Sequence, residues 1–203
     1  KTDKLDPISI SKVYYDKEEM MELKKKDETH NWLRKKNRLY EDQLNHLRKY
    51  KVTFQNQLSI CFPGYLDLFK DGYSDIPMTI LKKYPHPDLL KNKKAETVAR
   101  YLEKNTCHTH KVSLEYALKI IEFAKKTYPG CEKDDVEVEI FKILLDKVIE
   151  TQRECEKTLN EMITVASTLE EYRYISSIDG IGPNLAARII AEIGDIEEFK
   201  SRE

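Results

Sequence analysis

At 203 residues the chain is long enough for one large or two small domains, and 40% hydrophobic with 35% charged content points to a soluble, helix-rich, elongated protein. No apolar run approaches the roughly 18 residues that a membrane span needs. The charged opening Lys1-Thr2-Asp3-Lys4-Leu5-Asp6 lacks the apolar core of a signal peptide, so the expected location is cytoplasmic with no membrane partner. With 35 basic against 36 acidic residues, the chain as a whole makes no electrostatic case for nucleic acid, and local patches would have to supply one.

Asp3 and Asp6 stand three residues apart just before a helical pattern containing Ile8, Ile10 and Val13. Asp6 followed by Pro7 suits an N-cap and first helical position. Two readings stay open: Asp6 only caps the helix, or both carboxylates hold a divalent cation, as hard oxygen donors do. From about Asp16 to Cys61 no Pro or Gly interrupts a long helix. Leu33, Asn37, Tyr40, Leu44, Leu47, Lys51, Phe54, Leu58 and Cys61 alternate by fours and threes along it, which is a heptad seam. A second seam follows at Phe141, Leu145, Val148, Gln152, Cys155, Leu159, Met162, Ala166 and Leu169. Two such helices would pair antiparallel within one chain, and pairing between chains fits the pattern equally well. Asn37 and Gln152 at seam positions would fix register or oligomer state.

Between the seams, prolines at 63, 77, 85, 87 and 129 punctuate short amphipathic pieces, Ile76 to Tyr84, Asp88 to Asn105 and Ser113 to Tyr128. These predict a small helical cap with a core of Val98, Tyr101, Leu102, Tyr116, Ile120 and Phe123. Cys107-His108-Thr109-His110, with Cys131, could ligate zinc or simply form a polar loop. The four cysteines, Cys61, Cys107, Cys131 and Cys155, are far apart and read as reduced thiols. Lys24-Lys25-Lys26, Arg34-Lys35-Lys36 with Arg38, and Lys91-Asn92-Lys93-Lys94 are either basic patches or solvated helix faces.

Near the C-terminus, Ile178-Asp179-Gly180-Ile181-Gly182-Pro183-Asn184-Leu185-Ala186-Ala187-Arg188 reads as a helix-hairpin-helix. Gly180 and Gly182 flank an apolar residue in a tight turn, and Pro183 starts the next helix. Leu185, Ala186, Ile189, Ile190 and Ile193 predict one apolar face packing on Tyr174, Ile175 and Ile178. The amides of the turn at Gly180, Ile181, Gly182 and Asn184 are then free to take an anion at a helix N-terminus, and on nucleic acid that anion is a backbone phosphate. Asp179 opposes this unless Arg188 or another cation offsets its charge. The alternative is a plain tight turn between core helices.

The ordered combination of Asp-x-x-Asp, an interrupted coiled-coil stalk and a helix-hairpin-helix followed by Ala191-Glu192-Ile193-Gly194-Asp195-Ile196 and Phe199 resembles the DEDD-type transposases of insertion sequences, the bridge-RNA-guided recombinases. Pro7 departs from that pattern, where alanine is common. The resemblance implies that Asp3 and Asp6 are the last two acids of a RuvC-like nuclease site, catalytic and Mg²⁺-binding. The first two acids would then precede Lys1, and a serine nucleophile would follow Glu203. The expected architecture is all-α: 1–15 ending the nuclease domain, 16–62 and 133–172 forming an antiparallel coiled-coil stalk, 63–132 a helical cap, and 173–203 the hairpin that opens a C-terminal transposase domain. The chain thus reads as an internal piece of a transposase, an enzyme inactive as this piece alone, whose partners are double-stranded DNA, a guide RNA and, through the coiled coil, a second copy. The rival reading is a non-enzymatic coiled-coil DNA-binding or scaffolding protein.

Overall fold

The computed structural model describes residues 28–194, so Asp3, Asp6, Lys24-Lys25-Lys26 and Phe199 lie outside the described residues. Among the described residues there are seven α-helices, two short 3-10 turns and no strand. The helices are α1 (Glu28–Cys61), α2 (Asp75–Lys83), α3 (Ala95–Asn105), α4 (His110–Lys126), α5 (Val136–Ala166), α6 (Glu170–Ser176) and α7 (Pro183–Ile193). The expected all-α class is the one found. The chain divides into two units, Leu39–Asn160 and Lys1–Arg38 with Glu161–Glu203, and both long helices contribute a segment to each.

α1 stops where Pro63-Gly64 removes a donor and admits positive φ, and α5 stops at Ser167-Thr168, whose hydroxyls donate to the carbonyls of Thr164 and Val165 instead of extending the ladder. Inside the Leu39–Asn160 unit the two helices run antiparallel within one chain. The Phe54 ring stacks on Phe141 at 5.3 Å, Gln57 Nε2 donates to the Glu137 carbonyl at 3.0 Å, and Lys147 Nζ lies 5.7 Å from the Tyr50 ring. Partners on α5 fall in number as those on α1 rise. This is the in-chain pairing that the heptads allow, and Leu47, Phe54, Leu58, Phe141, Leu145, Val148 and Cys155 are buried in this seam.

Two seam positions on α5 differ from expectation. Thr151 and Thr158 are buried, whereas Gln152 and Leu159 are half-buried. A threonine can satisfy its hydroxyl against its own helix, and Thr151 Oγ1 donates to the Lys147 carbonyl at 2.7 Å. A glutamine amide has no such local partner. Gln152 turns instead into a polar cleft of about 350 Å³ that also holds Tyr73, Thr79, Lys82, Tyr101 and Arg153.

The cap folds as three helices. Val98, Ala99 and Leu102 of α3 pack with Ala117, Ile120, Ile121 and Ala124 of α4, all buried, while Tyr101, Tyr116 and Phe123 sit half-buried against that core. Phe62, Tyr65, Phe69 and Tyr116 form a run of aromatic contacts, with ring centroids 4.9, 5.2 and 5.8 Å apart, between the end of α1 and α4. Tyr65 is fully buried and its hydroxyl donates to the Pro77 carbonyl at 2.9 Å. Burial pushes the Tyr65 phenol well above its ordinary pKa, so it stays a neutral donor.

The zinc candidate is not assembled. Cys107 is exposed, His110 lies beside Glu96 and Glu103, and Cys131 lies against Cys61 instead. Among the described residues no cluster of three or more His, Cys, Asp or Glu side chains is placed to hold a metal. None of the described helices is long and apolar enough to cross a membrane.

Removing the Phe141 ring leaves a cavity against Phe54, and we expect Phe141→Ala to cost about 3–5 kcal/mol, read as a lowered urea midpoint. In a double-mutant cycle with Phe54→Ala, the stacked pair should show about 0.5–1.5 kcal/mol of coupling.

Candidate nucleic-acid interface

The hairpin belongs to the unit formed by Lys1–Arg38 and Glu161–Glu203. α6 begins after Leu169 with Glu170 and Glu171 in its first turn, where acids complement the helix dipole, and Tyr174 donates to Glu170 at 3.0 Å. Successive bonds from Ile178 N to Ile175 O (3.2 Å) and Ile181 N to Ile178 O (3.0 Å) wind the chain out of the helix. Gly180 then adopts φ +87°, a conformation costly for any residue with a Cβ. Gly182 caps α7 in extended conformation, Pro183 takes the first helical position, and Ala186 N closes the first turn on Gly182 O at 3.0 Å.

Asp179, Gly180, Gly182, Pro183 and Asn184 are exposed and Ile181 is half-buried. A Cβ built on Gly180 or Gly182 would meet no atom within 4 Å. Among the described residues the amides of Gly180, Gly182, Asn184 and Leu185 meet no acceptor, whereas the Ile181 amide, expected to be free, donates to the Ile178 carbonyl. Several donors are thus left open at the positive end of an 11-residue helix with no acid in its first turn. Arg188 lies further along α7 and is half-buried, with its Nε buried, while Asp179 stays exposed beside the turn. The arrangement can bind an oxyanion through backbone donors, with Asp179 as the opposing charge.

The packing face shares Ala186 and Ile190 with the one the apolar spacing predicts and differs in the rest. Ala186, Ala187, Ile190 and Ala191 are buried; Leu185 and Ile193 are exposed, as are Tyr174 and Ile178. Three alanines flank the single large residue Ile190 on the inner face, where their small side chains let a neighbouring backbone come close.

Residues of α1 hold the hairpin, a role no sequence pattern announced. Asn37, 2% exposed, donates from Nδ2 to Glu192 Oε1 at 2.6 Å, so it serves α7 as well as the heptad seam. Among the described residues its Oδ1 meets no donor. Gly194 ends α7 at φ +76°, and a Cβ there would come within 2.7 Å of Arg34 Nη2. The Arg34 guanidinium therefore lies at the negative end of the α7 dipole. Lys36 pairs with Glu161 of α5 at 2.6 Å, and His30 Nε2 stands 3.7 Å from Glu171 of α6. Of the run Arg34-Lys35-Lys36 with Arg38, Lys36 is thus paired and Arg34 lies against the end of α7, while Lys35 and Arg38 are exposed.

Residues 172–203 match the family model described as Transposase IS116/IS110/IS902 family. The matched stretch begins in α6 and includes the whole hairpin and α7. No curated protein and no solved structure matches the chain.

Removing the Glu192 carboxylate strands a buried amide, and we expect Glu192→Ala to cost about 1–3 kcal/mol of this unit's stability. Glu192→Gln keeps an acceptor and should cost less. Native-state hydrogen exchange of the α7 amides measures both.

Proposed function

We propose that the hairpin grips DNA backbone phosphate and that the chain is part of a transposase or recombinase. The observation that carries the reading is the set of open amides at Gly180, Gly182 and Asn184, lying inside the stretch that matches a transposase family model. Backbone amides contact phosphate oxygens without regard to base, so this contact positions DNA and does not select its sequence. Arg173 is exposed in the last turn of α6. Arg188, half-buried on α7, is the other cation this reading would set against Asp179.

Strand cleavage and transfer belong to the same reading. Asp3 and Asp6 lie outside the described residues, and the fit rests on donor chemistry: paired carboxylates are the hard ligands that Mg²⁺ takes. Bound there, the ion would supply charge stabilisation to a phosphoryl group in transfer. A guide RNA is a further expectation of the family likeness. Self-association is another, and because the seam of α1 and α5 is filled within one chain in the Leu39–Asn160 unit, it would fall to other residues.

Gly182→Asp places a carboxylate at the open amides. We expect about tenfold weaker binding to duplex DNA of any sequence, about 1.4 kcal/mol, with an unchanged helical circular dichroism spectrum. Unchanged affinity in a titration against two unrelated duplexes would remove the hairpin from DNA binding. For the acids, Asp3→Ala or Asp6→Ala in the intact gene product should abolish Mg²⁺-dependent cleavage while binding persists. Full cleavage by either variant would exclude that acid from the chemistry.

A further inference from the structure

Cys61 is the last residue of α1 and is wholly buried; Cys131 precedes α5 and is half-buried. Their sulfurs are 3.8 Å apart, with both thiols free. The backbones on either side are pinned together, since Gly130 N donates to Ile60 O at 2.8 Å. Cys131 is fixed from its other side by buried His86. The Asp88 amide donates to His86 Nδ1 at 3.3 Å, which places the ring proton on Nε2, and Nε2 lies 3.1 Å from the Cys131 carbonyl and donates to it. Bonding distance for two sulfurs is about 2.05 Å, so roughly 1.8 Å of approach separates this pair from a disulfide.

We infer that Cys61 and Cys131 form a reversible disulfide when the protein meets a hydroperoxide, closing the base of the cap. The two thiols take different parts. Cys131, the more accessible, attacks the peroxide: an S–O bond forms, the O–O bond breaks, and hydroxide leaves to become water. Cys61 then attacks the Cys131 sulfur, an S–S bond forms, the S–O bond breaks, and the Cys61 proton departs with the hydroxyl as a second water. Two thiols have lost two electrons to one peroxide. Burial, and then the nearby Cys131, push the Cys61 thiol up to about 12, so it is inert to reagents in solution and reacts only with the sulfur held beside it. Burial raises Cys131 as well, so it reacts slowly, on the scale of an oxidative challenge. The link would join both ends of the 62–130 insert and constrain the unfolded chain.

The test treats the 203-residue protein with hydrogen peroxide under native conditions and maps its thiols by mass spectrometry after digestion without reductant. We expect a peptide pair joined at Cys61 and Cys131 and two hydrogens lighter than its reduced form, cleaved by dithiothreitol, together with a rise in Tm of about 10 °C. In Cys61→Ala the resolving thiol is gone, and Cys131 should instead be trapped by dimedone as a sulfenic acid. Exposed Cys107, with no thiol beside it, serves as the internal control. The inference is overturned if Cys131 advances to sulfinic acid while Cys61 stays a thiol, or if both remain thiols when Cys107 is fully oxidised. The map of the unsubstituted protein decides the matter even if a variant fails to fold.

Discussion

The antiparallel contact of α1 with α5 in the Leu39–Asn160 unit is what the other elements of that unit depend on. Phe54 on Phe141, with Leu58 and Leu145 buried nearby, fixes where α1 ends and α5 begins, and the cap must span the distance between those points. Both ends of the insert are then tied. Gln57 and Cys61 of α1 contact Glu137 at the start of α5, and Gly130 bonds Ile60. Closing a loop once, at its base, leaves the three cap helices only a local search for their packing. A short helix such as α2 would not be stable alone and relies on this frame.

Much of the fold was legible because its signals are periodic. Leu33, Leu47, Phe54, Leu58, Phe141 and Leu145 repeat at heptad spacing over several turns, and no Pro or Gly competes. The cap helices were marked by their prolines. What periodicity could not supply was phase between neighbours of similar burial: Gln152 and Thr151 are adjacent, and the outcome turned on the threonine bonding its own helix while the glutamine found a polar cleft. The same limit applies at α7. Apolar spacing rightly placed Ala186 and Ile190 on the inner face but chose Leu185 and Ile193 where Ala187 and Ala191 are buried, because close approach is decided by the neighbour's shape and that is not written in one helix.

The hairpin turn was readable from Gly180, Gly182 and Pro183 because backbone conformation is a property of those residue types. Its support was not. Asn37 lies 155 positions from Glu192 in sequence, and Arg34 is as remote from Gly194; nothing local connects them. Asn37 looked like a register-setting seam residue and also tethers the hairpin helix, which is possible only because a heptad position is defined by its helix and not by what covers it.

An overall charge of −1 bears on how such a chain can hold nucleic acid at all. Proteins that rely on long-range attraction carry a surplus of lysine and arginine, and their affinity falls steeply with salt. Here Lys36 is paired internally, Arg34 sits at the end of α7, and several other cations of the described residues face carboxylates, such as Lys126 with Glu122 and Lys91 with Asp88. A hairpin that uses backbone amides escapes that constraint. Its donors carry no formal charge and act only at hydrogen-bond range. Such a contact adds orientation to a complex and little to the rate of encounter. On the proposed reading, the geometry of Gly180 to Asn184 suits fixing the register of DNA more than capturing it from solution.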